Sequence, residues 1–212
     1  MLKQTEQQLL EMKERWSGRM PGVIERQNDR HSSVVLPLIE RNGRLEILFE
    51  VRASSLHRQP GEVCFPGGIV ENEESYEEAA VRETSEELLI EREQIEIIAP
   101  LDYLEMSSGL TVHVYLCKIN DYQNTFSKEE VDRVFTVPLN WFLEREPDKY
   151  VAKIRTIPGE DFPFDLIPGG RNYNWRSGSY NVYFYPYKNE VIWGMTAKII
   201  YGFVKLNRGE RL

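Results

Sequence analysis

Residues 83 to 87 carry three glutamates whose spacing suits chemistry on a phosphate. Glu83, Glu86 and Glu87 are spaced i, i+3 and i+4, so in a helix, at about 100° per residue, they share one face. Such a face is tolerated where it is open to water or where a divalent cation neutralises it. Mg²⁺ prefers a few carboxylate oxygens together with substrate phosphates and water. The trio is therefore a candidate metal site for a diphosphate, and a solvated helix face is the alternative.

The negative charge of the chain is concentrated around this trio. The 212 residues include 34 acidic and 26 basic side chains, a net charge of −8, and the segment 71–96 alone holds eleven glutamates against two arginines. The rest of the chain is nearly neutral. A protein that binds the backbone of a nucleic acid usually has the opposite balance, so we expect no nucleic-acid partner.

Composition indicates a globular protein of one domain with extensions, or of two small domains. Apolar residues make up 41% and charged residues 28% of the chain, near the globular average. Two cysteines, Cys64 and Cys117, are too few for a disulfide framework, so we expect a reduced, cytoplasmic setting. The first residues lack the apolar run of a signal peptide. The apolar stretch 191–204 is shorter than the roughly 20 residues of a membrane span, and we expect no membrane partner.

The glutamate trio belongs to the segment with the clearest helix signals. Residues 75–89 form the predicted helix, in which Ser75 caps the first turn and Glu78, three residues later, completes a capping box. Before it lie a short predicted strand, 63–65, and Gly67-Gly68, a turn whose backbone can approach a ligand closely. Arg82 is placed to bind Glu74 or a neighbouring carboxylate and so to hold the loop against the helix.

Other segments predict a mixed α/β protein. Asn42-Gly43 between two apolar runs predicts a β-hairpin. The aromatic-rich region 150–187, punctuated by Pro and Gly, indicates a hairpin or long excursion. The remaining predicted elements are strands over 95–101 and 111–117, and helices over 2–16, 139–143 and 195–206. Strands followed by helices and further strands favour an α/β or α+β sandwich.

The residues of the acidic segment resemble a known motif. Gly68, Glu74 and the run Arg82-Glu83-Thr84-Ser85-Glu86-Glu87 fall in register with the Nudix box, G-x5-E-x7-R-E-U-x-E-E-x-G-U. Two positions depart from it, because Thr84 stands at an apolar position and Leu89 at the last glycine. Leu89 affects the turn that ends the helix, while all the carboxylates of the box are present.

A second resemblance lies upstream and narrows the family. Residues 48–53 and 61–68 are similar to the additional motif of the coenzyme A pyrophosphatase branch, roughly LLTxR(S/A)x3Rx3Gx3FPGG. His57 stands where that motif has its second arginine, with Arg58 beside it. Residues 129–139 and 191–197 also resemble this branch, so the similarity covers roughly residues 32–205.

The resemblance implies a Nudix-type α/β/α sandwich with a mixed central sheet, over residues 31–212 behind an N-terminal helical extension, 1–30. It implies hydrolysis of coenzyme A, or acyl-coenzyme A, to 3′,5′-ADP and (acyl-)4′-phosphopantetheine with Mg²⁺ or Mn²⁺. Glu86 and Glu87 are then the principal metal ligands, Glu83 is a third ligand or a positioning residue, and Glu74 with Arg82 orients the box.

The sequence does not determine which residue acts as general base. The candidates are Glu83, Glu87 and Glu130, of which Glu130 lies on a predicted loop. Arg52, Arg58, Gly67 and Gly68 are the expected contacts of the substrate phosphates, and His57 is a phosphate contact or a plain surface residue. Two histidines, His31 and His113, are expected to be structural. The aromatic residues of 150–187 have two interpretations: they stack on an adenine, or they are core residues of a strand.

Three alternatives remain beside a coenzyme A pyrophosphatase. A Nudix enzyme for ADP-ribose, NADH or a dinucleoside substrate shares every box residue and differs only in its pocket. Loss of Glu86 or Glu87 would favour a non-catalytic Nudix-like module that binds nucleotide or protein, and neither is lost. An acidic structural helix would leave Gly67-Gly68 and Arg82 without a role. The acyl preference and a homodimeric state are left open by the sequence.

Overall fold

Two buried strands joined by a tight turn form the centre of the main sheet in this computed structural model, which describes residues 2–20 and 30–210. Strand β1 (Arg30–Arg41) pairs antiparallel with β2 (Arg44–Arg52). Between them Asn42 and Gly43 both have positive φ, 51° and 71°, the conformation that favours a two-residue hairpin turn. The predicted Asn-Gly hairpin is confirmed.

The main sheet is mixed, as predicted. Strand β1 is parallel to β7 and antiparallel to β2 and β4. The path of paired strands runs β3-β2-β1-β7-β5, with β4 on β1, β6 on β7 and β8 on β2. These further strands are β3 (Val63–Cys64), β4 (Gly67–Ile69), β5 (Ile95–Pro100), β6 (Leu104–Glu105), β7 (Leu110–Ile119) and β8 (Val131–Pro138).

In the part of the chain that the structure describes, four α-helices accompany the strands: α1 (Leu2–Trp16), α2 (Tyr76–Leu88), α3 (Leu139–Leu143) and α4 (Gly194–Asn207). Each coincides with a helix predicted from the sequence. The apolar side chains of α1, such as Leu9 and Trp16, are exposed, and the remainder of the predicted extension includes residues 21–29, which lie outside the described residues. Within the described part of the chain, no helix is long and apolar enough to cross a membrane.

The aromatic-rich region forms a second, three-stranded antiparallel sheet. Its strands are β9 (Asp148–Arg155), β10 (Ser177–Tyr187) and β11 (Glu190–Trp193), with β10 in the middle. Tyr183 and Tyr185 of β10 are buried in the main core, whereas Tyr180 is 48% exposed. The predicted hairpin is therefore present, and its inner face is core.

Hydrophobic clusters cover both faces of the main sheet. Leu48 packs with Leu88 of α2 in one cluster, while its neighbour Phe49 packs with Phe142 of α3 and Ile200 of α4 in the other. Because side chains alternate along a strand, the even-numbered residues of β2 face α2. A sheet with helices packed on both faces is the predicted sandwich. A residue two positions after Leu48 on β2 also faces α2.

Candidate functional site

Helix α2 begins at the capping box that the sequence predicts. The backbone N–H of Glu78 donates to Ser75 Oγ at 3.2 Å, and the backbone N–H of Ser75 donates to a carboxylate oxygen of Glu78 at 2.8 Å. The two bonds satisfy donors that a helix start leaves free. They fix the first turn and, through the regular helix, the direction in which the glutamates project.

The helix ends at Leu89 in the left-handed conformation, with φ at 52°. The N–H groups of Leu89 and Ile90 both donate to the carbonyl of Ser85, which is the pattern of a left-handed helix end that usually employs glycine. For a residue other than glycine, the left-handed backbone conformation costs about 1–2 kcal/mol. The turn thus forms although leucine replaces the glycine of the motif, and Leu89, 59% exposed, carries a backbone penalty.

Arg82 joins the loop before α2 to the helix. Its Nε and Nη2 donate to the two carboxylate oxygens of Glu74 at 3.1 and 2.8 Å, a bidentate pair. Glu74 also accepts the backbone N–H of Glu71 at 2.7 Å. These hydrogen bonds, led by those from Arg82, lower the pKa of Glu74 to about 2. The loop and helix are thereby locked to one another.

The first glutamate of the trio, Glu83, lies against Gly68. Its Oε1 accepts from Arg82 Nη1 at 2.9 Å, and a Cβ built on Gly68 would lie 2.3 Å from its Cδ. Only glycine leaves room for this carboxylate. Burial raises the pKa of Glu83, and Arg82 opposes that shift.

The third glutamate, Glu87, is almost completely buried, with 4% of its surface exposed. It accepts the backbone N–H of Gly67 at 2.8 Å. Burial raises its pKa to about 8, the Gly67 hydrogen bond opposes the shift, and the charges of Glu83 and Glu130 add to it. A raised pKa means that the anionic carboxylate is costly here without a cation.

A further carboxylate, which the sequence analysis did not single out, lies beside Glu87. Glu50 on β2 is 1% exposed, and its carboxyl group is within hydrogen-bonding reach of that of Glu87. Burial, followed by the charge of Glu87, raises the pKa of Glu50 well above its usual range. The available signal was its position: an acid two residues after the buried Leu48, on the face turned to α2.

The other predicted residues lie around this pair. Glu86 is exposed, with Oε2 at 3.5 Å from Arg82 Nη1. The exposed Glu130 lies in the turn before β8, and its charge contributes to the raised pKa values of Glu50, Glu83 and Glu87. Arg52, at the end of β2, opposes the shifts of Glu50 and Glu87.

The loop after β2 carries the remaining predicted phosphate contacts. Arg52 Nε donates to the carbonyl oxygen of Arg58 at 3.3 Å, which ties this loop to the end of the strand. The side chains of His57 and Arg58 are exposed. The structure thus brings Arg52 to the acidic cluster and places Arg58 at the surface of the adjoining loop.

Comparison with known proteins identifies the family. The sequence model of the NUDIX domain matches residues 29–157, more than half of the chain. The chain is a member of the Nudix hydrolase family. Helix α2, whose glutamates resemble those of the Nudix box, lies within the matched residues.

Individual relatives of this Nudix hydrolase differ in how much of each chain they share. A mouse protein named peroxisomal coenzyme A diphosphatase NUDT7 is 38% identical over 61% of this chain and 55% of its own length. A protein from an Enterobacter species, named uncharacterized Nudix hydrolase NudL, is 33% identical over 82% of this chain and 80% of its own. The crystal structure of a MutT/nudix family protein from Enterococcus faecalis has a TM-score of 0.50 at 16% identity, covering 94% of this chain and 68% of its own; that likeness concerns the fold alone.

Nudix hydrolases generally use divalent metal ions, and the acidic cluster fits such an ion in its chemistry. Glu50 and Glu87 are buried next to each other, and Oε1 of Glu50 has no hydrogen-bond partner. Arg82 engages Glu83 and Glu86, and no group of three or more acidic, histidine or cysteine side chains in the described part of the chain is arranged around a common point. An ion here requires Glu83 and Glu86 to turn away from Arg82.

The two histidines that the sequence analysis considered structural lie together. His31 Nδ1 is 3.0 Å from His113 Nε2, and the ring of Tyr76 stacks on both. Burial lowers the pKa of His113. Tyr76 is the first residue of α2, so this stack packs β1 and β7 against the start of this helix.

Proposed function

We propose that this Nudix hydrolase cleaves the diphosphate bond of coenzyme A or acyl-coenzyme A, giving 3′,5′-ADP and (acyl-)4′-phosphopantetheine. The mouse relative is named as a coenzyme A diphosphatase, and the motif of residues 48–68 resembles that of the coenzyme A pyrophosphatase branch. A Nudix pyrophosphatase acting on ADP-ribose, NADH or another nucleoside diphosphate derivative is the alternative.

The observation that carries the proposal is the contact between the two motifs. Gly67, within the upstream motif, donates its N–H to the buried Glu87 of the box. Arg52, at the other end of the upstream motif, lies close enough to influence the pKa of the same carboxylate. The residues that resemble the motif of the coenzyme A branch thus border the carboxylates that resemble the Nudix box.

Glu86 and Glu87, with Glu83 as a third ligand or a positioning residue, would hold Mg²⁺ or Mn²⁺. When bound, these ions supply charge neutralisation and polarise the phosphoryl group. Arg82 and Glu74 keep the box in position. Gly67 and Gly68 are the proposed backbone contacts of the diphosphate, and the absence of side chains lets Gly67 pack against the backbone of β1 and Gly68 against Glu83.

The proton of the attacking water needs a carboxylate that can accept it. Glu83, Glu87 and Glu130 are candidates, and Glu130 differs from the other two because it lies on a loop and is exposed. Arg52 supplies positive charge on the same side as the cluster, where it can contact a substrate phosphate. Arg58 lies on the adjoining loop and extends that positive surface.

The setting of the reaction is a separate prediction. Cys64 and Cys117 are free thiols, which is consistent with the predicted cytoplasmic location. The name of the mouse relative places that protein in peroxisomes. Fractionation of the producing cell, followed by detection of the protein in each fraction, distinguishes the two locations.

The direct test is a substrate panel with the purified full chain. Coenzyme A, an acyl-coenzyme A, ADP-ribose and NADH are incubated with Mg²⁺ or Mn²⁺, and the products are identified by mass spectrometry. We expect the highest kcat/KM for coenzyme A or its acyl derivative, with 3′,5′-ADP as a product. A clear preference for ADP-ribose or NADH would refute the proposed substrate.

Variants of the box provide the control for contaminating activity. We expect Glu86→Gln and Glu87→Gln each to lower kcat by two or more orders of magnitude, on the order expected for loss of a transition-state interaction. Glutamine at position 87 keeps an acceptor for the N–H of Gly67, so the fold is expected to persist. Glu77→Gln, at an exposed site in the first turn of the same helix, should retain activity.

A further inference from the structure

Glu50 departs from the motif that surrounds it. The upstream motif, LLTxR, has threonine where this chain has Glu50 between Phe49 and Val51. Glu50 lies in the middle of the sheet, where β2 pairs with β3 and β8, opposite Cys64 and Val134. An acid at such a position is unusual, because carboxylates are rarely fully buried unless they are paired.

The side chain of Glu50 is directed to the acidic helix. Leu48, two residues earlier on the same face of β2, packs in the cluster that contains Leu88 of α2. The carboxyl group of Glu50 accordingly lies within hydrogen-bonding reach of that of Glu87. Glu50 and Glu87 are thus neighbours in one buried site.

The described protein groups leave this carboxylate incompletely satisfied. Glu50 is 1% exposed and its Oε1 has no hydrogen-bond partner. The nearby guanidinium of Arg52 is engaged by the carbonyl of Arg58 and the thiol of Cys64. A buried carboxylate oxygen without a hydrogen-bond donor costs free energy, and such an oxygen beside a proposed metal ligand is itself able to bind a cation.

We propose that Glu50 is an additional carboxylate ligand of the divalent ion held by Glu86 and Glu87. A threonine at this position could offer only a neutral hydroxyl group. The proposal rests on the proposed function for the presence of the metal site, but not on its substrate. An anionic oxygen is a stronger ligand for Mg²⁺ and Mn²⁺ than a hydroxyl. This chain is therefore expected to bind the ion more tightly than it would with the residue of the motif.

The test measures Mn²⁺ binding without substrate. Free Mn²⁺ is counted by electron paramagnetic resonance during titration of the metal-free full chain, for wild type, Glu50→Gln and Glu50→Thr. Loss of one charged ligand is expected to raise the dissociation constant of Mn²⁺ at least fivefold in both variants, in line with the roughly 10- to 100-fold effects of changes around metal ligands. Glu46→Gln, on the same strand and the same face, should bind Mn²⁺ as wild type does.

The glutamine variant separates a ligand from a structural acid. If Glu50 only shares a proton with Glu87, Glu50→Gln reproduces the neutral partner and its dissociation constant stays within fivefold of wild type, which would overturn the proposal. Loss of the thermal transition of metal-free Glu50→Gln would also overturn it, because the side chain would then be structural. Weak Mn²⁺ binding by wild type itself refutes the metal site, whereas tight binding without cleavage of coenzyme A refutes only the proposed substrate.

Discussion

Two adjacent glycines at the candidate active site are expected to respond very differently to the same substitution. A Cβ at Gly67 would lie 2.3 Å from the carbonyl oxygen of Ser33 and 2.6 Å from Cα of Val34, both backbone atoms of β1, at a φ of +145°. Neither obstacle can move without shifting the central strand. Overpacking costs about 1–3 kcal/mol and the backbone conformation costs about 1–3 kcal/mol, so Gly67→Ala should destabilise the protein by about 2–6 kcal/mol.

At Gly68 the obstacle is the end of a flexible side chain. The added Cβ would meet Cδ and both carboxylate oxygens of Glu83 at 2.3–2.5 Å, and a rotation of that side chain removes the clash. The cost in stability is then about 0.5–1.5 kcal/mol, the range for a strained rotamer. The carboxylate of Glu83 is nevertheless displaced, and a displacement of about 1 Å at a catalytic group can lower the rate roughly 100-fold.

Thermal unfolding and steady-state kinetics together test this contrast. At about 2–4 °C per kcal/mol for a chain of this size, Gly67→Ala should melt about 4–24 °C below wild type and Gly68→Ala within about 6 °C of it. Activity of Gly68→Ala, measured below both melting temperatures, should fall about 100-fold. Equal melting temperatures for the two variants, or full activity in Gly68→Ala, would refute the reasoning.

Three further perturbations have expected outcomes. Leu89→Gly should raise the free energy of unfolding by about 1 kcal/mol, because it removes left-handed strain, while Leu206→Gly within α4 should lower it by about 1 kcal/mol; denaturant titration measures both. Arg82→Lys should lower kcat/KM about tenfold or more, since one ammonium cannot replace the bidentate contact with Glu74, and an unchanged value would contradict the clamp. In the metal-free protein, folding raises the pKa of Glu87 to about 8, so the folded state holds a proton that the unfolded state releases. The free energy of unfolding should therefore fall as pH rises from about 4.5 to about 8. The melting temperature of Glu87→Gln should depend less on pH than that of wild type.

Local signals made much of the fold predictable. The hairpin turn at Asn42-Gly43 and the start of α2 at Ser75 rest on interactions within a few residues, and both were predicted from the sequence. The box resemblance located Glu83, Glu86 and Glu87 on one helix. Such features need no knowledge of how distant segments pack.

What the sequence did not reveal depends on long-range placement. Glu50 joins Glu87 only because β2 lies in the sheet with its even-numbered side chains towards α2. His31 and His113 lie 82 residues apart and meet only because β1 and β7 are parallel neighbours. Likewise, the tyrosines of β10 divide into core and surface residues according to which face of the second sheet they occupy.

Location of a bound ion in crystals tests the central claim most directly. Crystals soaked in Mn²⁺ are measured at a wavelength where its anomalous scattering is strong. We expect an anomalous peak at a distance of about 2.1 Å from carboxylate oxygens of Glu86 and Glu87, as for an oxygen-coordinated ion of this type. The absence of a peak at these residues, with Glu83 and Glu86 still paired to Arg82 at a saturating concentration of Mn²⁺, would contradict it.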